Sequence, residues 1–252
     1  LNPRIFVLAC ATVIEEMLPL MPPGAGYEVL DFGLHINPDR LRSTLQERVD
    51  QVPDSYDVVL LGYGLCSQAV IGLHARRHIL VIPRVDDCIA IFLGSRAAQR
   101  EQNAREPGTY YLTKGWIEVG DTPFAEYDRL VQRYGRERAD RVIRLMLNHY
   151  TRLALINTGQ YELDRYREYA RRTAERFGLR YEEIPGSTTL IEKMLHGPWP
   201  PDEFVVVPPG ETVRYQDFYP PDESECAARG LDSRGSENPE HPSSPQGGHS
   251  GD

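Results

Sequence analysis

Three of the four cysteines, Cys10, Cys66 and Cys88, fall directly after stretches that read as buried strands. Cys10 closes RIFVLAC, Cys66 follows YDVVLLGYG in GYGLCSQ, and Cys88 follows HILVIPR in VDDCIAIFLG. In an open parallel sheet such positions share the carboxyl edge, where sites form. A helix start is expected at or just after each, and a helix N-terminus favours the thiolate, the form that binds metal. Three thiolates on one edge suit a zinc ion with a fourth ligand, or an iron–sulfur cluster with one open iron. Gly62 and Gly64 permit close backbone approach there, and Asp86, Asp87 or His149 could supply a fourth ligand or a base. A thiol enzyme, with Cys66 or Cys88 as nucleophile and His149 as base, is a further chemistry open to these residues.

The plainer reading is that cysteine is a small buried hydrophobe. The spacing contains no CxxC pair. Core filler, however, should scatter among strand middles, whereas these three occupy equivalent ends. Other groups are less pointed. Arg84, Lys114 and Arg152 could hold a carboxylate or phosphate, or simply form salt bridges. Asn148 to Arg152 form a polar cluster before a strand, in which His149 is a ligand or acid–base candidate. With a metal in place, His149, Asp87 and Lys114 would be outer acid–base groups and Gly62, Gly64 and Arg84 would line a cofactor. Tyr110, Tyr111 and Trp116 would suit either packing or a cage for a methylated ammonium. In GYGLCS, Ser67 stands where GxGxxG needs its third glycine, and no acidic residue follows where a ribose ligand belongs.

The elements that must position these residues alternate through the first ninety positions. Arg4 to Cys10, Tyr27 to Gly33, Tyr56 to Gly64 and His78 to Arg84 read as strands. Helices are expected over Val13 to Leu20, behind a Thr12/Glu15 capping box, and after the Asn37-Pro38 start, with Leu41, Leu45 and Val49 on one face. A short helix over Ala69 to Ala75 and a longer one from Ile89 to about Gln102, capped by Asp86 or Asp87, complete the pattern. This is the signature of a Rossmann-like parallel α/β sheet with helices on both faces. If its strands run 2-1-3-4, Cys10 and Cys66 flank the switch point and Cys88 lies one strand further, about 4.8 Å along. Its loop must then lean inward.

Residues 1–105 are thus read as the first lobe. Residues 106–220 hold an aperiodic stretch to Phe124, a helical region from Phe124 to His149 broken near Gly135, and a strand at Leu153 to Gly159. An apolar stripe at Leu163, Tyr166, Ala170, Ala174 and Phe177 follows, its arginines on a solvated face. RYEEIPG, a helix at Thr189 to Leu195 and EFVVVPPG would complete a smaller second α/β lobe. Residues 221–252, rich in Ser, Gly, Pro and acid, are expected to be a disordered tail.

The 252 residues carry 40% hydrophobic and 26% charged side chains, so fibrous and wholly disordered classes are excluded. The net charge is -9, of which -5 belongs to Asp222–Asp252, with seven acids against Arg229 and Arg234, leaving -4 elsewhere. That balance argues against nucleic acid as a partner. No apolar run reaches the roughly 18 residues of a membrane span. No leader pattern opens the chain, and a reducing cytoplasm is the expected setting, in which grouped cysteines point to metal or catalysis rather than disulfides. Cys226, in the tail, has no part in this site.

The segments DFGLH (Asp31 to His35), LGYGLCSQAVIGL (Leu61 to Leu73), VIPRVDDCIAIFLGS (Val81 to Ser95) and PGTYYLTKGWIE (Pro107 to Glu118) closely resemble the domain-of-unknown-function family numbered 1638. The resemblance runs from about Arg4 to Phe218. It brings no established activity, but it implies a setting beside corrinoid proteins and the methyltransferases that demethylate methylamines or betaines, with their reductive activators. The family's recurring cysteines stand here as Cys10, Cys66 and Cys88. The resulting expectation is a metal or iron–sulfur protein serving corrinoid-linked one-carbon metabolism. Its rivals are a metal-free module that binds a small methylated amine or a corrinoid protein, and the thiol enzyme.

Overall fold

Five strands build the first sheet: β1 (Ile5–Cys10), β2 (Gly26–Leu30), β3 (Val58–Gly62), β4 (Ile79–Pro83) and β8 (Phe204–Val207), in the order β2-β1-β3-β4-β8. The computed structural model describes residues 3–66, 68–119 and 122–219, so Ser67, Cys226 and the 221–252 tail lie outside it. The first four strands are parallel, which places Cys10 and the residues after Gly62 and Pro83 on one carboxyl edge. Every residue of β3 is buried, as the unbroken VVLLG run requires of a strand covered on both faces. β8 is antiparallel to β4, pairing Leu80 with Val207 and Pro83 with Phe204.

β8 therefore completes the first sheet, although its position in the chain suggested the second lobe. A four-residue apolar strand carries no local mark of its partner. The second sheet is a parallel β5-β6-β7 set, with β5 (Thr109–Leu112), β6 (Arg152–Asn157) and β7 (Arg180–Pro185). Its core joins Leu112, Leu153 and Leu155 to side chains of α6 (Pro123–Tyr134), α7 (Arg136–Met146) and α8 (Asp164–Phe177). The described residues up to Phe218 form a single compact unit around both sheets.

Helices α1 (Ala11–Met17), α2 (Pro38–Gln51), α3 (Cys88–Leu93), α4 (Arg96–Arg105), α5 (Lys114–Val119), α9 (Thr189–His196) and α10 (Tyr215–Phe218) complete the elements used below. Asn37 caps α2 as expected, its side chain accepting from the N–H groups of Asp39 and Arg40, while Leu41, Leu45 and Val49 are buried. Four local expectations are corrected. α1 starts directly after Cys10, its N-cap residue, and Thr12, inside the helix, bonds Cys10 rather than capping. The expected 69–75 helix is a set of turns, because Gln68 (φ 67°) and Gly72 (φ 88°) occupy left-handed backbone that a helix cannot pass. The helix after Asp87 is split into α3 and α4 at Gly94 (φ 85°). The supposedly aperiodic stretch contains β5 and α5.

Candidate cysteine site

β1, β3 and β4 end side by side, and their following residues turn over the sheet edge into one cavity of about 380 Å³. Cys10, Cys66 and Cys88 all line it, together with Gly62 and Asp87. The register explains Cys66: beyond β3, Leu65 N–H donates to Val85 O (2.8 Å) and Cys66 N–H to Asp86 O (3.0 Å). These bonds carry the β3–β4 alignment past the strand ends. Cys66 itself adopts φ 45°, a left-handed conformation uncommon outside glycine and asparagine. Gly64 makes the approach possible, since a Cβ there would stand 2.8 Å from Val85 O and 3.0 Å from Asp87 N. The loop bearing Cys88 thus leans inward as its place in the strand order demanded.

The remaining walls are aromatic. Phe32 and His35 come from the 3-10 turn Phe32–Ile36 after β2, Tyr63 from the β3 loop, and Trp116 from α5. Trp116 reaches the edge because Gly115 packs on the first turn of α1, where a Cβ would lie 2.6 Å from Thr12 O. Its ring meets Phe32 edge-on at 4.7 Å, and His35 stacks with both Phe32 (5.0 Å) and Tyr63 (5.8 Å). The cage drawn from sequence is therefore dispersed. Tyr110 packs on Phe124 and Tyr150, and the Tyr111 hydroxyl donates to Asn103. Of that trio, only Trp116 lines the cavity.

Burial, not the helix dipole, governs the thiols. Cys66 is pushed up to about 12 and Cys88 well above the ordinary thiol value, both by loss of solvent. Cys10 is raised for the same reason, despite its bond to Thr12 Oγ1 at 3.3 Å. The expectation of thiolates primed by helix N-termini is corrected accordingly: Cys66 opens no helix, and desolvation outweighs the partial charge at the other two. Without an occupant, these groups are thiols at neutral pH.

Two buried donors on the same walls have no partner among the described residues. Tyr63 Oη is sealed from solvent, and the Trp116 indole N–H lies beside Cys88 without meeting ordinary hydrogen-bond geometry. Such groups cost about 1–3 kcal/mol each when left unsatisfied. An acceptor-rich occupant, thiolate or sulfide, would relieve both. Among the described residues no set of three His, Cys, Asp or Glu side chains is arranged to hold a single ion. The three cysteines nevertheless line the same cavity.

The other residues named from sequence are placed as follows. Asp87 caps α3, its Oδ1 accepting from Ile89 N–H (2.9 Å) and Gln99 Nε2 (2.8 Å), and burial raises its carboxyl. Asp86 also lines the cavity and pairs with Arg96 at 3.1 Å. Lys114 lies outside the lining, paired with Glu15 and with Glu118 at 3.5 Å. Arg84 faces a different cavity, with Trp199 and Arg214. His149 sits exposed in the turn before β6. Arg152 is a fully buried fastener of the second sheet, bonded to Thr109, Glu182 and Gln102. Sequence reasoning passed over His35 and Tyr63. A lone histidine in a turn and a tyrosine between two glycines carry no spacing signal.

No helix among the described residues is long and apolar enough to cross a membrane. No curated protein and no solved structure matches the chain. A family model does match, from residue 29 to residue 195, a span that includes His35, Cys66, Cys88 and Trp116 and begins after Cys10. With well over half of its length matched, the chain belongs to the family described as protein of unknown function, DUF1638.

Proposed function

We propose that the protein is a cysteine-ligated metalloprotein, with Cys10, Cys66 and Cys88 holding an iron–sulfur cluster at the carboxyl edge of the first sheet. The observation that carries this reading is the meeting of three thiols, delivered by three separate strand ends, in one cavity that also contains two unpartnered buried donors. We read the group as a cluster rather than a single zinc ion. Tetrahedral thiolates on one zinc stand about 3.8 Å apart, given Zn–S bonds of about 2.3 Å, whereas cluster cysteines bind separate irons and lie wider.

When bound, a cluster supplies one-electron transfer. The protein's own residues would set its behaviour. Trp116 N–H and Tyr63 O–H would donate to sulfur, and the Phe32, His35, Tyr63 and Trp116 rings would exclude water; both effects tune a potential. The high proton affinity of the thiols means that metal must displace protons, so loading weakens as pH falls. The role we infer is electron supply to a corrinoid protein in methylamine or betaine metabolism, the setting the family resemblance implies. Iron, sulfide and zinc analysis with a visible spectrum, on protein purified without oxygen, tests the reading. About four irons with broad absorbance at about 400 nm support it; a colourless protein that takes up neither metal refutes it.

A further inference from the structure

We infer that His35 supplies the fourth protein ligand of the cysteine site, through Nε2, so that each of the four parallel strands of the first sheet delivers one donor. The inference rests on the metal reading above and adds what completes the coordination. β2 ends at Leu30, directly opposite Cys10 in the β1–β2 register. Asp31 then caps the 3-10 turn, its carboxylate accepting from Gly33 N–H at 2.8 Å, and the turn carries His35 onto the same edge. β1 contributes Cys10, β3 Cys66 and β4 Cys88, and all four side chains line the one cavity.

The ring's hydrogen bonding identifies the atom. His35 Nδ1 lies 3.0 Å from the Phe32 carbonyl. A carbonyl can only accept, so Nδ1 carries the proton, and the lone pair of the neutral ring is on Nε2. A ligating histidine usually donates its other N–H to a carbonyl or carboxylate in this way, which fixes tautomer and orientation together. Stacking on Phe32 (interplanar angle 21°) and Tyr63 (24°) fixes the ring plane. The other oxygen and nitrogen donors are engaged on one atom or lie outside the lining. Asp87 Oδ1 is taken by Ile89 and Gln99, Asp86 pairs with Arg96, and His149 is not in the cavity lining.

A Cys3His set leaves no protein-free position, so the site would transfer electrons or hold structure rather than bind a substrate directly. The test uses the full chain reconstituted anaerobically with ferrous iron and sulfide, and compares wild type with His35→Asn, His35→Ala and His35→Cys. Pulsed EPR of the reduced wild type should show coupling to an imidazole nitrogen. That coupling should vanish in all three variants while iron is retained by the three thiols, and His35→Cys should shift the reduction potential negative. Asn can still donate to Phe32 O, which guards against loss of the turn. A wild-type cluster without nitrogen coupling, or with coupling and potential unchanged in the variants, overturns the inference and leaves the cluster reading standing. Failure of wild type to take up iron or zinc overturns both. If zinc is taken up instead, its affinity should fall in His35→Ala by at least the roughly tenfold seen when even an outer hydrogen-bond partner of a ligand is lost; unchanged zinc affinity overturns the inference.

Discussion

The backbone N–H of Cys66 donates to the carbonyl of Asp86 at 3.0 Å, two residues before Cys88. This bond and its neighbour, Leu65 to Val85, dock the two cysteine loops on each other before any ligand is considered. Gly64 is the point at which they touch. Gly64→Ala would drive a Cβ into Val85 O at 2.8 Å and Asp87 N at 3.0 Å, both backbone atoms that cannot swing away. Overpacking of this kind costs about 1–3 kcal/mol. We expect a corresponding drop in urea stability, and metal content lowered by displacement of Cys66 from Cys88. Wild-type stability and metal content in Gly64→Ala would mean that the loops do not need this contact.

Arg152 is the second sheet's fastener rather than an anion site. Its side chain is 1% exposed and spans Thr109 on β5, Glu182 on β7 and Gln102 on α4. Truncation to Ala leaves a cavity and removes one of the two arginine partners of the Glu182 carboxylate. A loss of about 2–4 kcal/mol is expected on chemical unfolding, somewhat below that of a fully buried pair because Glu182 is one-third exposed. A phosphate or carboxylate that stabilised the wild type but not the variant would restore the ligand reading.

Glu183 accepts two bonds from Arg167, and Glu182 is bonded by Arg180 and Arg152; these contacts hold both carboxyls below the ordinary glutamate value of 4.5. Their folded forms bind protons more weakly than the unfolded chain does. The stability they contribute is therefore complete above about pH 4.5 and is lost as pH falls through the depressed folded values. Glu183→Gln should flatten the acid limb of the stability profile between pH 4.5 and 2.5. An acid limb identical to wild type would rule out this contribution.

Glu16 has the opposite sign. It is 1% exposed on α1, with Oε2 accepting from the Thr158 hydroxyl at 2.7 Å and Oε1 unpartnered among the described residues. Burial raises its carboxyl, so the folded state binds the proton more tightly than the unfolded one. Its contribution is full below the unfolded value and is lost as pH rises through the raised folded value. Glu16→Gln should thus gain on wild type as pH increases from 4.5 to 8, read as the difference in urea midpoints. A difference that stays constant with pH would contradict the assignment.

How much of this could be read from sequence depended on whether the signal was local. The apolar VVLLG run, the Asn37-Pro38 start with Leu41, Leu45 and Val49, and the break at Gly135 all record themselves within a few residues. Strand ends followed by Cys10, Cys66 and Cys88 were legible for the same reason. β5 is only four residues long and lies among glycines and aromatics, too short for a period to declare itself. The pairing of β8 with β4 joins segments more than a hundred residues apart, which no local pattern encodes. The thiol protonation depends on how much solvent the tertiary walls remove. His35 acquires its place only when the β2 turn meets the edge shared with Cys10.

The most direct test of the account is metal content in Cys10→Ser, Cys66→Ser and Cys88→Ser, each reconstituted beside wild type without oxygen. One shared cluster predicts that wild type loads and that each substitution alone removes most of the metal, with native far-UV circular dichroism preserved. A well-folded variant of any of the three that keeps the full wild-type metal content would contradict it.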